Sequence, residues 1–388
     1  MKVHRIRQLL FSLFFGFLVL FPVSSFGNAY AAERSSSGTL RILLVGNSFS
    51  IDCSEYLPEV CKSCGTSDVI VGNCYIRGKA LEYEWNAVKK NAAAFDYRVS
   101  KSGATWSPVQ KTTLQSVIQS EPWDYVYFQQ YSTLAGHRES FYLSNRKNIF
   151  DLFQRYTKTN CSNERVRIGF LMTWACKDDC KKRKYKQFYR GDQDTMYRSI
   201  CSVTKRAVAP YADLIAYPGT AIQNARTRYG DTLNRDDRHL SLTTGRYLAA
   251  MSVAKASGIR LQSMKSFRKL SASKTSALVQ CVIDASKKTY SVTKQVWSAP
   301  KLNAVSKVGS KKIKVSWAQA SCSGYQVVYS TRSNFQNARK KSIPRGTTSL
   351  TIGTLSSGKT YYVRIRAYQT VSGTKYYSKW SAAKTCSM

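Results

Sequence analysis

Two histidines, His137 and His239, remain once residues 1–31 are set aside, so any histidine-dependent proton transfer has to use one of them. His239 ends the run Asn234, Arg235, Asp236, Asp237, Arg238, His239. A carboxylate three residues before a histidine on a loop can fold back to accept from Nδ1–H, which fixes the tautomer and stabilises the imidazolium. Ser48 follows the apolar run at residues 40–45, at the end of a strand, where nucleophiles are usually presented. Its hydroxyl becomes reactive only when a neighbouring base takes the proton. Taken alone, the same residues also read as two helix caps. His137, in Gly136-His137-Arg138, reads either as a cleft residue or as an exposed loop histidine.

The elements that must position these side chains alternate. Short apolar runs at residues 40–45, 68–74, 123–128, 165–174 and 212–217 read as strands. Helix-like stretches lie at 81–94, 112–120, 143–157 and 195–209, and another follows His239 at 243–256. This alternation argues for a parallel sheet covered on both faces, an α/β domain over residues 39–290, with its site beyond the carboxyl ends of the strands. After Pro300 the pattern changes to period two, at 311–317, 325–329, 349–352 and 361–368. Turn signals lie at Ser323-Gly324, Ser356-Ser357-Gly358 and Ser372-Gly373. Residues 300–388 therefore read as an antiparallel β-sandwich.

The chain has 388 residues, is 43% hydrophobic and carries a formal net charge of +38, which excludes a disordered chain and a collagen-like fibre. Residues 1–31 read as a signal peptide. Lys2, Arg5 and Arg7 precede an apolar stretch, and Ala29-Tyr30-Ala31 has the pattern of a cleavage site. Its removal leaves the chain near +35, three charges fewer than +38. The expectation is an exported protein, secreted or held at the cell surface, with no stable membrane span after cleavage. Eleven cysteines in an oxidising compartment favour bridges over zinc, although Cys61/Cys64 and Cys176/Cys180 have suggestive spacing. The odd number leaves at least one thiol free or paired between chains. Residues 300–388 contain 16 Lys or Arg and no acid, which points to an anionic cell-wall or host-surface polymer, or else to a solvated basic face. Export and the absence of a reading motif argue against sequence-specific nucleic-acid binding.

The run from Ile42 to Ser50, with Gly46, Asn47, Ser48, Phe49 and Ser50 at its end, together with Asp236-x-x-His239, resembles the SGNH/GDSL hydrolase superfamily, in particular its bacterial Gly-Asn-Ser-Phe-Ser branch. The resemblance covers residues 39–260. It implies a flavodoxin-like three-layer α/β/α fold and a serine ester hydrolase needing no metal or cofactor. Ser48 would be the nucleophile, His239 the general base and acid, and Asp236 its orienting carboxylate, with Asp237 as fallback. The oxyanion hole would use the Ser48 N–H, the Gly78 N–H (Gly72 is the weaker candidate) and an amide after the third strand. The third-strand block departs from the family pattern, with Gln129 and Gln130 where Gly-x-Asn-Asp is expected. Gln130 is assigned, with Gln129 as alternative, and simple core or turn polarity is the other reading. The implied substrate is an acylated small molecule or carbohydrate, with an acetyl group foremost. A noncatalytic surface- or polymer-binding protein on the same scaffold, or an acyltransferase, is the alternative. Trp106 and Trp174 read as packing aromatics or as walls of a sugar cleft.

Residues 300–388 are similar to a fibronectin type III domain. Trp317 stands at the buried second-strand position, Leu355 to Tyr361 resembles the tyrosine corner, and Trp380-Ser381 matches the last strand. That fold would put Cys322 and Cys386 at opposite ends of the sandwich, too far apart for a disulfide.

Overall fold

The computed structural model describes residues 38–66, 68–101, 105–261, 267–371 and 373–388; the signal-peptide reading falls outside them. The first domain opens with β1 (Leu40–Gly46), α1 (Ser48–Ser54), α2 (Leu57–Ser63), β2 (Val69–Tyr75), α3 (Leu81–Lys89), β3 (Phe95–Lys101) and β4 (Gln110–Thr112). It continues through α4 (Leu114–Gln119), β5 (Tyr125–Phe128), α5 (Ile149–Asn160), β6 (Arg167–Leu171), α6 (Arg183–Tyr189), α7 (Gln193–Val203) and β7 (Leu214–Ala216). Helices α8 (Pro218–Tyr229), α9 (Thr244–Ala256) and α10 (Ala272–Lys287) close it.

The sheet order is β4-β3-β2-β1-β5-β6-β7. The strands β2, β1, β5, β6 and β7 are mutually parallel, and β1 and β2 are almost wholly buried, as strands covered on both faces must be. Successive residues of β5 show the two faces. The Tyr127 hydroxyl hydrogen-bonds Ser257 behind α9 (2.8 Å), whereas Phe128 packs on Phe150 and Phe153 of α5. The purely parallel reading needs correction. β3 runs antiparallel to β2, and β4 antiparallel to β3, and together they extend the edge. Most of β3 is only half-buried, a pattern an antiparallel edge tolerates and a doubly covered parallel strand does not.

Helix boundaries moved for local reasons. The expected helix from residue 143 starts only at Ile149, because Asn148 caps it by accepting from the Phe150 and Asp151 N–H groups. The one expected at 195–209 breaks at Val203 into a single π-helical turn, Thr204–Val208. Among the described residues no helix is long and apolar enough to cross a membrane.

Glu84 on α3 is fully buried, with neither carboxyl oxygen hydrogen-bonded. Burial pushes its pKa well above the usual carboxylate range, which favours the protonated form. With its folded pKa raised, its stability contribution is full below the unfolded pKa near 4.5 and declines as pH rises above it. Glu84→Met is therefore expected to raise stability at pH 7 by about 1–3 kcal/mol. Urea melts at pH 7 and pH 4 should show that gain shrinking at the lower pH.

The C-terminal domain comprises β8 (Leu302–Gly309), β9 (Lys312–Trp317), β10 (Gly324–Ser330), β11 (Arg339–Pro344), β12 (Ser349–Ile352), β13 (Thr360–Val371), β14 (Thr374–Tyr377) and β15 (Lys384–Ser387). The sheet β12-β9-β8 faces the sheet β11-β10-β13-β14, with β15 also pairing β13. Trp317 packs against Tyr325 across the core, ring centroids 5.6 Å apart. The Tyr361 hydroxyl accepts from the Ser356 N–H (3.0 Å), which is the tyrosine corner. On the outer face Arg364 and Arg366 stack on Phe335, Tyr377 and Trp380. Register separates the two cysteines of this domain. Cys386 pairs with Tyr361, whereas the Ser323 N–H next to Cys322 bonds Tyr368 O, seven residues along β13 and roughly 23 Å away at about 3.3 Å per residue. A disulfide spans Cα atoms only up to about 7 Å apart. Gln369 ties the domains together by donating to Arg228 O of α8 (3.3 Å).

Candidate active site

The end of β1 and the start of α1 form one hydrogen-bonded junction. Asn47 caps α1, its side-chain oxygen accepting from the Phe49 N–H (3.1 Å) and from Gln129 Nε2 (2.7 Å). Its amide donates to Lys79 O (2.9 Å), so one side chain links β1, the β2–α3 loop and the end of β5. Gly46 allows this approach: a Cβ there would lie 2.2 Å from Gln129 Cγ. Ser48 is the first residue of α1, so its N–H has no acceptor within the helix and its hydroxyl sits at the sheet's carboxyl edge.

The loop before α9 brings His239 to that hydroxyl. Ser48 Oγ lies 2.9 Å from His239 Nε2, and His239 Nδ1 lies 2.8 Å from Asp236 Oδ2. The other Asp236 oxygen accepts from the N–H groups of Arg238 (2.9 Å) and His239 (2.8 Å), which folds the carboxylate back over the loop. Burial pushes the Asp236 carboxyl up, but these N–H bonds and the His239 ring outweigh it and hold the pKa down to about 2. The ionised carboxylate accepts the hydrogen bond from Nδ1–H, which keeps that proton on Nδ1 and leaves Nε2 free to accept from Ser48. The ring rests edge-on against Phe49, which stacks on Trp174 at 4.2 Å, and Trp174 Nε1 donates to Arg238 O (2.6 Å).

Residues 41–280 match the family described as "Domain of unknown function (DUF4886)", well over half of the chain. The chain belongs to the DUF4886 family. Residues 298–384 match the fibronectin type III domain. A solved DUF4886 family protein from Bacteroides uniformis is 30% identical, with 66% of this chain and 98% of that one covered at a TM-score of 0.60. The FN1–FN3 domains of chicken CNTN1 are 20% identical over 25% of this chain and 34% of theirs, with a TM-score of 0.21. An FN3 domain of human collagen XX is 21% identical over 24% of this chain and all of its own, with a TM-score of 0.19. No curated protein matches.

Within this DUF4886 domain the other expected site residues fall into place or out of it. Gly78 adopts φ +67° in the loop that Asn47 ties down. It is exposed, and among the described residues its N–H bonds nothing. The Gln130 amide is engaged away from Ser48. Its oxygen accepts from the Leu81 (3.1 Å) and Tyr131 (2.8 Å) N–H groups, and its amide donates to Ser140 O (2.7 Å) and Oγ (3.2 Å). It is a buried brace at the start of α3, the polar core role weighed against the catalytic one. Gln129 is spent on Asn47. Gly72 lies inside β2, paired with Leu43 and Val99 and too tightly packed against Trp123 for any side chain. Asp237 turns away from the ring and accepts from the Lys181 N–H (3.1 Å). Trp174 and Trp106 are packing residues, Trp106 lying under Arg98. His137 is half-buried against Phe188 (4.2 Å). The Cys176 thiol is hydrogen-bonded to that of Cys180 beside the Asp237 loop, and all eleven cysteines are free thiols.

One residue of this site escaped the sequence reading. Asp52, four residues after Ser48 on α1, is fully buried. One of its oxygens takes Arg235 Nη1 and Arg246 Nε, both at 2.9 Å, and the other accepts from the Leu240 N–H (2.8 Å). It therefore clamps both sides of His239 to the helix that carries the serine. The only sequence signal was an acid set among apolar neighbours, one turn after Ser48.

The depressed Asp236 pKa makes an acid-side expectation. Because the folded value, about 2, lies below the ordinary 3.8, the stability it contributes is complete above the ordinary value and disappears as pH falls through the folded one. Melting temperatures taken from pH 5 to pH 2 should fall less steeply for Asp236→Asn than for wild type.

Proposed function

We propose that this DUF4886 domain is a secreted serine ester hydrolase of the SGNH type, on a flavodoxin-like scaffold, that removes small acyl groups, acetyl foremost. The observation that carries this reading is the unbroken relay from Ser48 Oγ to His239 Nε2 and from His239 Nδ1 to Asp236. The parallel strand order β2-β1-β5-β6-β7 supports it, since it places Ser48 at the switch point of the sheet.

In the first half-reaction the Ser48 proton passes to His239 Nε2 as Oγ bonds the ester carbonyl carbon. The resulting oxyanion lies toward the N–H groups of Ser48 and Gly78, donors that act most strongly where charge develops. The imidazolium, steadied by Asp236, gives its proton to the leaving oxygen as the carbon–oxygen bond breaks and the alcohol departs. Water then attacks the acyl-enzyme, giving a proton to His239. Collapse releases the acid and returns the proton to Ser48 Oγ. With Gln130 committed to Ser140, the hole holds two backbone donors.

The basic C-terminal domain supports retention at an anionic surface through exposed strands such as β11, with Arg339, Lys340 and Lys341 in the open. The test of the catalytic reading is covalent. A fluorophosphonate should label the full chain once, at Ser48 by peptide mass spectrometry, and should stop p-nitrophenyl acetate hydrolysis in step with labelling. Turnover that persists after complete labelling, or labelling elsewhere, would count against it.

A further inference from the structure

Beside Gly78 lies a cavity of about 310 Å³. Gly78, Tyr131 and Leu134 form one side of its lining, and Lys182, Arg183 and Lys184 form another. No carboxylate lines it. Two other segments bring cations to the same region. Arg77 and Lys79 flank Gly78 and are exposed. Arg238, next to His239, bonds the Tyr131 hydroxyl and stacks over that ring.

A chain this basic has lysines everywhere, so a run of three means little by itself. What distinguishes this rim is convergence from three separate segments with the local acids already spent. Asp231 holds Arg226 and the Asp178 N–H, and Asp192 caps α7. Asp237 takes the Lys181 N–H, and Asp179 pairs with Lys177. Among the described residues no carboxylate forms an ion pair with Lys182, Arg183, Lys184 or Arg238. Lys182, Arg183 and Lys184 therefore line, without an ion-pair partner among the described residues, the cavity that Gly78, the proposed oxyanion donor, also lines.

We infer that the ester this site takes is carried on an anionic alcohol, a sugar or polyol bearing a carboxylate or phosphate near the acylated oxygen. This inference rests on the esterase reading. The Lys182, Arg183 and Lys184 side chains are exposed, which suits a hydrated anion on the departing alcohol rather than a charge buried with the acyl group. A cleft lined by one sign of charge concentrates ligands of the other and raises their capture by about ten- to a thousand-fold, an effect that falls with ionic strength.

The experiment compares kcat/KM of the full chain on acetylated polygalacturonate, an acetylated polyol phosphate and acetylated xylan, a largely neutral polymer, at low and high salt. At least one anionic ester is expected to be used about ten-fold or more better than the neutral one at low salt. The two arms tell carboxylate from phosphate. That preference is expected to shrink as salt rises, and to collapse toward one in the triple variant Lys182→Ala, Arg183→Ala, Lys184→Ala, whose fold is checked by circular dichroism. Should the triple variant unfold, Lys184→Glu alone reads the same ratio. A preference absent in wild type, or unchanged by salt and by these variants, would overturn the inference while leaving the esterase reading standing. Failure to hydrolyse any ester, p-nitrophenyl acetate included, would refute the esterase reading and this inference with it.

Discussion

Ser48→Ala is expected to lower p-nitrophenyl acetate turnover by about 10⁴- to 10⁶-fold, and His239→Ala by a similar factor. In the proposed mechanism the serine and the imidazole act as one unit. Without Oγ there is no nucleophile for the base to activate, and without Nε2, 2.9 Å away, the hydroxyl keeps its proton. The double variant should be no worse than either single one, because each removes the same relay. Asp236→Ala should cost somewhat less, about 10⁴-fold, since the ring keeps its contact with Phe49 but loses the acceptor that sets its tautomer. None of these changes removes the Ser48 or Gly78 N–H, so a residue of rate over water should survive. The measurement is steady-state turnover of folded variants matched by circular dichroism. Wild-type activity equal to that of Ser48→Ala would return the domain to the noncatalytic binding reading.

Asp52→Ala should be the most destabilising single change near the site, by about 3–5 kcal/mol. The carboxylate is buried under two guanidinium groups and one backbone N–H, and removing it strands all three partners at once. Arg246 is largely buried, so water replaces its lost acceptor poorly, whereas Arg235 is exposed and water can take over part of its contact. The same change frees the segment on either side of His239 from α1, so turnover should fall by more than the folded fraction explains. Asp52→Asn keeps the shape and one acceptor oxygen, and should recover part of the stability while remaining slow. Urea melts separate the two effects when turnover is normalised to folded protein. A turnover loss wholly accounted for by unfolding would reduce Asp52 to a structural brace.

Much of this was written in local pattern. The strand–Gly46-Asn47-Ser48 junction, the Asp236-x-x-His239 spacing and the period-two texture after Pro300 depend on residues close in the chain. Steric and capping rules therefore act on them wherever the rest of the protein lies. Tertiary structure decided what depends on residues far apart. Nothing local could show that the Gln130 amide would be spent on Ser140, because a Gln side chain reaches several ångströms and its target is set by how two loops meet. Nor could it show that Asp52 would turn from α1 onto the His239 loop, 183 to 194 residues further along. The antiparallel edge at β3 followed from which neighbour that half-buried strand found, since pairing direction is a property of two strands and not of one. The cationic rim is of the same kind. Net charge is read from composition, but only folding brings Lys182, Arg183 and Lys184 to one cavity with Gly78 and Tyr131, and turns the neighbouring Asp237 to the Lys181 N–H.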